Sequence, residues 1–446
     1  MACLGFWALG CATTLERGAT SRLERADVAE SARSGAADEP RTSCELNSTL
    51  RRYVSCALEQ SPELRATFHE WKAATHRISR ERRLPEPMIT YSYFVRSVET
   101  RVGPQRHKFA VSQAFPWPTR LSAGADAASL AARSARERYE ASALELARRV
   151  AEAYWQLWAT QRTREVQRNQ QTLLEHLSAL ARTRVEIGQS GLADLGQLDL
   201  AVSRMADVLS GLSEDERTAR AELRAAIGAR PGTSTPIAER PPRLMRVAEH
   251  KKELRAAVHA HPRIRALGSL AESEDHRAHA AGAERYPDFV LGAEYIETGT
   301  ISGADPLDDG KDPIVVSLSV RLPLWAGIYA DEEDEARARS AAFRARQGAA
   351  RDRADAALEQ ILSEVRDSAR RVRLYRQTLV PQAETVFESV LGEYQAGMST
   401  VASILLAERE LLELQLAQFQ AEADHGVALA RLEALVGRSV QLEKIR

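Results

Sequence analysis

Residues 187–195 read IGQSGLADL and residues 396–404 read AGMSTVASI, and the two stretches align without a gap. Gly188 and Gly397 stand 209 residues apart, and the helix-ending motifs LRAAIG and LEALVG close at Gly228 and Gly437, again 209 apart. An equal offset at both ends of a segment marks a tandem duplication, and self-similarity at a fixed period decides the fold before any local reading does. Around each glycine the pattern is helical. No proline occurs from Thr119 to Arg230, so one helix runs to Ile187, reverses at Gly188–Gly191 and returns to Gly228, where Pro231-Gly232 stops it. At a rise of 1.5 Å per residue the outgoing helix is about 100 Å long. Antiparallel helices of that length form a coiled-coil-like hairpin rather than a globular core.

Upstream of each helical hairpin lies a pair of strand signals. Leu84-Pro85-Glu86-Pro87 halts a helix, and MITYSYFV (88–95) follows, rich in β-branched and aromatic residues. Glu99–Gln105, with Gly103-Pro104, reads as a turn. HKFAVSQAF (107–115) then alternates Phe109, Val111, Gln113 and Phe115 against Lys108, Ala110, Ser112 and Ala114. The second copy repeats the order. His261-Pro262-Arg263-Ile264 matches Ser61-Pro62-Glu63-Leu64, FVLGAEYI (289–296) follows Tyr286-Pro287, and IVVSLSVRL (314–322) alternates before Pro323. The organisation expected is a tether over 12–45 and two repeats, 46–245 and 246–446. The first has strands at 87–95 and 107–115 and helices at 119–187 and 192–228. The second has strands at 288–297 and 313–322 and helices at 326–396 and 399–437.

Composition excludes little by itself. Lys and Arg (61) balance Asp and Glu (62) in a chain of 446 residues, so no basic stripe argues for nucleic acid. No apolar run reaches the roughly 18 residues of a spanning helix, but a barrel strand needs only about 10 residues of alternating polarity. The N-terminus MACLGFWALGCATT ends a short apolar run in Ala8-Leu9-Gly10-Cys11. Two readings stand: a lipoprotein-type signal over 1–11 that leaves Cys11 acylated, or an apolar terminus without a role. Cys44 and Cys56 are a disulfide if the chain is exported, or two separate thiols.

Each repeat supplies one β-hairpin, so one chain has four strands. In lipid, a four-stranded sheet leaves two open edges, and each unsatisfied backbone group there costs several kcal/mol. Closure then requires several copies, and the long helical hairpins likewise need neighbours.

With its doubled order of strand pair, long helix, Gly-marked tip and return helix, the chain resembles the TolC-type outer-membrane efflux proteins from about Leu46 to its end. The residues that carry the resemblance are the Tyr394-Gln-Ala-Gly397 tip with Val401 and Ile404, the strand exit Val111-Ser-Gln-Ala-Phe115-Pro116, and the start Ser61-Pro62-Glu63-Leu64. That resemblance implies a mainly α fold with a membrane β-barrel: a homotrimer whose twelve-stranded barrel in the outer-membrane lipid continues as an α-helical tunnel in the periplasm. It further implies a passive exit duct that docks to a periplasmic adaptor (membrane fusion) protein and an inner-membrane transporter. A lipidated N-terminus is found in part of the family. The alternative is a periplasmic coiled-coil adaptor or scaffold without a pore, which would lack the two strand pairs.

On this reading the tips carry the candidate sites. Gly188, Gly191, Leu192, Gly397 and Val401 are the expected adaptor-docking positions, and Asp194, Tyr394 and Ser403 the expected periplasmic gate. Tyr394 matches the family's aperture tyrosine. The acidic ring of better-known relatives falls on Ser403 and Leu406 here, so Asp194 is the remaining acid. Asp331–Glu335 reads as acids complementing a helix N-terminus, and Asp305, Asp308, Asp309 and Asp312 as a polar loop. His276 and His279 read as solvent-facing, Trp155 and Trp158 as packing, and Pro381 as a kink. No catalytic motif, metal site or cofactor motif is found, and no enzyme is expected.

Overall fold

Leu192–Ile227 and Val401–Val436 are both helices of 36 residues, so the offset between the glycines is also the offset between the helices they bound. The computed structural model describes residues 13–34, 44–238, 240–301 and 310–444. The first copy follows an N-terminal helix α1 (Thr14–Ser34) and comprises α2 (Leu50–Gln60), α3 (Pro62–Arg82), β1 (Met88–Tyr93), β2 (Glu99–Thr100), β3 (Gly103–Phe115), α4 (Pro118–Glu186) and α5 (Leu192–Ile227). After β4 (Met245–Val247) the second copy has α6 (Lys251–His259), α7 (Pro262–Gly282), β5 (Asp288–Thr298), β6 (Ile314–Arg321), α8 (Ala326–Leu374), α9 (Val380–Gln395) and α10 (Val401–Val436), and β7 (Leu442–Lys444) follows. No helix among the described residues is long and apolar enough to cross a membrane.

The chain divides into two compact units. The first comprises Met1–Ser31, Phe68–Glu137 and Arg265–Gly348. Its sheet has the order β1-β3-β5-β6, all antiparallel, with β2 paired to the start of β3. Its helical part is built on alanine: Ala123, Ala125, Ala127, Ala128 and Ala132 of α4 are buried, with Ile78 of α3 against them. Small side chains let these helices approach closely.

Two departures from the sequence reading occur here. Residues 14–34, expected within the tether, form α1. Its Ala, Arg and Glu content favours helix without an apolar stripe. It is held by buried Leu23 and by ion pairs Glu16–Arg82 (2.7 Å) and Asp27–Lys72 (2.7 Å). Gly103-Pro104, expected as a turn, opens β3 instead, and the reversal falls at Arg101-Val102. Gly103 has φ +124°, and a Cβ there would sit 1.6 Å from the Gly299 carbonyl oxygen, so only glycine fits this crossing.

The acidic run also differs. Because α8 starts at Ala326, Asp331–Glu335 lie beyond its first turn, where the helix dipole has faded. Glu333 bonds Arg337 and Arg285, Asp334 bonds Arg337, and Glu335 bonds Arg339, so basic partners rather than the terminus account for these three acids. Asp305, Asp308 and Asp309 lie outside the described residues. Asp312 accepts from the Thr298 amide (2.7 Å) and from the Tyr295 hydroxyl, closing the β5–β6 hairpin.

The second unit comprises Ala32–Thr67, Arg138–Ile264 and Ala349–Arg446. One core cluster lies among the ends of α4, α5, α9 and α10, centred on Leu198, Ile404 and Val401. Another packs α2 against α4 and α5 through Tyr53, Leu157 and Leu223, and a third packs α6 against α8 and α10 through Val258, Leu358 and Leu432. The second and third are the duplication seen in packing: the short helix before each repeat seats on the end of that repeat's return helix. β4 and β7 form a small second sheet, too short to register as alternation. Cys44 and Cys56 form a disulfide with Cα atoms 6.0 Å apart, a bond of oxidising compartments.

Pro381 is accommodated rather than breaking the helix. The turn Tyr375–Leu379 before it is π-helical, which makes room where the proline ring would meet the Gln377 carbonyl and where its N–H is missing. Trp158 is buried against Phe419, and Trp155 lies over Gly426, where a Cβ would meet the indole at 2.6 Å.

His425 of α10 is 1% exposed and accepts from the Met245 amide at Nε2 (3.2 Å), with Ser368 Oγ 3.1 Å from Nδ1. Burial lowers its pKa from 6.5 to about 4, against an opposing backbone hydrogen bond to Val365. The folded chain therefore holds the neutral ring, and its contribution is full above pH 6.5 and is lost as pH falls from 6.5 through about 4. A shift of that size is worth about 3 kcal/mol. Thermal unfolding at stepped pH should show Tm falling across this window, and the His425-dependent part of the fall should vanish in His425→Gln.

Candidate functional site

Two places are candidate sites, the sheet of the first unit and the paired helix reversals of the second. In the sheet, cross-strand partners point to the same face. Ile89–Val111–Ala293–Val316 form one row, Tyr91–Phe109–Tyr295–Ile314 a second, and Gln113–Leu291–Leu318 a third. The opposite face has Thr90–Ala110–Glu294–Val315 and Met88–Ser112–Gly292–Ser317. One face is thus apolar and aromatic. The other mixes small and polar side chains with Met88, Val290 and Val315, and has Lys108 bonded to Glu294 at 2.6 Å.

The apolar face is exposed. Ile89 is 81% exposed, Val316 73% and Leu318 65%. A soluble sheet turns such a face inward, whereas a sheet in lipid turns it outward. Trp117, Tyr286 and Trp325 collect at one end of the strands, with Trp117 and Tyr286 stacked at 4.9 Å. Aromatic residues at strand ends are the side chains that favour a membrane–water boundary. Within the described residues β1 and β6 each have a partner on one side only, so both edges of the four-strand path are open.

At the reversals, the same backbone device closes both helices. The Gly188 amide bonds the Val185 carbonyl and the Gln189 amide the Arg184 carbonyl. At the second tip, Gly397 bonds Tyr394 and Met398 bonds Glu393 in the same pattern. Gly188 has φ +72° and Gly397 φ +78°, the left-handed conformation this cap requires. Arg184 joins the tips: its Nη1 donates to the Tyr394 carbonyl (2.9 Å), its Nη2 to the Gln395 carbonyl (2.8 Å), and its guanidinium lies 4.8 Å from the Tyr394 ring centre.

Of the expected docking positions, Gly188, Gly191, Leu192 and Gly397 are exposed at the apices. Val401 is not. It is 1% exposed in the tip core, because its place as first residue of α10 turns it inward beside Ile404. Tyr394, expected at the gate, is likewise buried among the tip helices, and burial raises the pKa of its phenol. Asp194 is half-buried and accepts from Ser190 Oγ (2.8 Å). Ser403 is exposed and tied to the helix cap, its amide donating to Thr400 Oγ1 (3.2 Å). Ile187 and Met398, exposed beside the two glycines, were not singled out by the sequence. Their signal is position: the residues flanking a reversal glycine occupy the apex whatever their type. Cys11 lies outside the described residues.

Comparison with known proteins adds to this geometry. The family model described as outer membrane efflux protein matches residues 53–229 and 254–438. The outer membrane efflux protein BepC of Brucella suis is 23% identical over 264 residues, covering 58% of this chain and 56% of BepC, so the match spans little more than half of that relative. Among solved structures, the outer membrane protein VceC of Vibrio cholerae superposes with TM-score 0.71 at 20% identity, over 88% of this chain and 97% of VceC. The open-state MtrE outer membrane channel of Neisseria gonorrhoeae gives TM-score 0.70 at 18% identity, over 88% and 90%.

Proposed function

This chain belongs to the outer membrane efflux protein family, whose members are TolC-type channels, and we propose that it works as a trimeric, passive exit duct. Three copies pool their four strands into a twelve-stranded barrel with the apolar face toward lipid, and their long helices form the tunnel. One observation carries the proposal: an antiparallel sheet with an exposed apolar and aromatic face, a more polar opposite face and two open edges. Only closure satisfies those edges in a bilayer. A coiled-coil adaptor has no use for such a sheet.

The driving force comes from an inner-membrane transporter, reached through a periplasmic adaptor at the tips. Gly188, Gly191, Leu192 and Gly397, with Ile187 and Met398, form the docking apex, where exposed apolar side chains mark an interaction site. Asp194 and Ser403 face the gate, while Tyr394 and Val401 shape the turn from within. Cys11 is the acylated residue. In support, α1 runs antiparallel to α3, with Glu16 beside Arg82 and Asp27 beside Lys72. Its first residues therefore adjoin the end of α3 that leads into β1, where a lipid chain on Cys11 would meet the leaflet.

Separation of inner and outer membranes tests the reading. The protein should sediment with the outer membrane and resist salt extraction. Recovery in the soluble periplasmic fraction would refute it.

A further inference from the structure

A cavity of about 720 Å³ lies in the first unit at the foot of the sheet. Arg77 and Arg80 of α3, Arg83 just after it, Arg120 of α4, Arg277 of α7 and Arg321 of β6 line it. Only three acids, Glu81, Glu284 and Asp288, share the lining. Arg120 pairs with Glu284 (3.0 Å) and Arg80 with Glu81 (3.2 Å), while Arg277 bonds Glu274 and Arg83 bonds Glu86. Among the described residues, the side chains of Arg77 and Arg321 make neither an ion pair nor a hydrogen bond, although Arg321 stands opposite Asp288 in the backbone ladder. The walls between the arginines are Gly124, Ala127, Ala131 and Ala280, which add no competing dipoles.

The cavity opens on the sheet's polar side. Arg321 pairs with Asp288 across the β5–β6 ladder, in line with Val290–Ser319 and Gly292–Ser317, the face opposite Leu318 and Val316. In a closed barrel that face is the lumen.

We propose that this arginine-lined cavity is an anion station inside the duct, selecting cargo that carries phosphate or carboxylate groups. The inference rests on the duct reading, since the cavity is lumenal only if the sheet closes. A cleft lined by one sign of charge, with low-dielectric walls, concentrates ions of the opposite sign. Guanidinium forks match the paired oxygens of carboxylate and phosphate, and rings of basic side chains are how pores prefer anions.

Two measurements on the purified full-length oligomer test it, with inorganic pyrophosphate as the probe. In planar bilayers under a KCl gradient, the reversal potential should show chloride preferred over potassium, and pyrophosphate should reduce the current. The double variant R77Q/R321Q should lower the chloride-to-potassium permeability ratio about sevenfold, as for a fall of about one kT in lumen potential acting on the two ions with opposite sign. The charge-matched R217Q/R409Q, whose arginines pair on exposed surface elsewhere, should leave it unchanged. Calorimetry should detect pyrophosphate binding to wild type and its loss in R77Q/R321Q. Potassium preference in the wild type, or equal selectivity in the two double variants, overturns the proposal. So does dissociation of R77Q/R321Q oligomers without a change in selectivity, which would make these arginines contacts between copies. Pyrophosphate binding without any conductance would keep the station and sink the duct.

Discussion

Leu318→Arg should remove the protein from the outer membrane, while Ser319→Arg, one residue along the same strand, should leave insertion intact. Leu318 is 65% exposed, so in a water-soluble protein a charge there would cost almost nothing. On the lipid face of a barrel, an arginine near the bilayer midplane costs about 2–4 kcal/mol, and a trimer incurs that cost in every copy. Ser319 alternates to the polar face beside Val290, where a charged side chain meets water. Fractionation followed by quantitation of membrane-inserted oligomer separates the two. Equal insertion of both variants would mean that the apolar face does not meet lipid.

Gly397→Glu should abolish export while oligomers persist in the membrane. No atom lies within 4 Å of a Cβ built at Gly397, so the hairpin has room for the side chain and only the positive φ is strained, by about 1–2 kcal/mol. Gly397→Ala carries the same strain without the charge, and should keep most activity. The difference between them isolates docking: a charge forced into an apolar interface without a partner costs about 2–5 kcal/mol, or upward of about thirtyfold in affinity. Export is read in a host lacking its own gene copy, using whichever dye, detergent or metal ion that deletion sensitises it to. Wild-type export by Gly397→Glu would exclude the tip as the docking surface.

The duplication was legible because glycine caps leave a fixed signature, and both tips close by the same backbone hydrogen bonds. The strands are legible because apolar and polar side chains alternate with period two. What escaped had no period to read. α1 is held by two ion pairs and one leucine, and nothing along residues 14–34 announces partners in α3. Gly103-Pro104 are residue types that favour turns, yet the glycine serves a close backbone crossing and the β2–β3 turn falls just before it. At the tips, sequence located the apex but not which side chains turn inward. Val401 and Tyr394 are buried by the opposing helices of their own hairpin pair, a fact of packing. The arginines of the cavity come from α3, α4, α7 and β6, and no linear pattern joins them.

The central claim is that one chain contributes four strands to a barrel it cannot close alone. Native mass spectrometry of the protein extracted from outer membranes in mild detergent tests it most directly. The expected species is a homotrimer, three times the 49.3 kDa of one chain, adjusted for the leader removal and acylation proposed at Cys11. A monomer as the sole species, stable in the same detergent and still conducting ions, would contradict it.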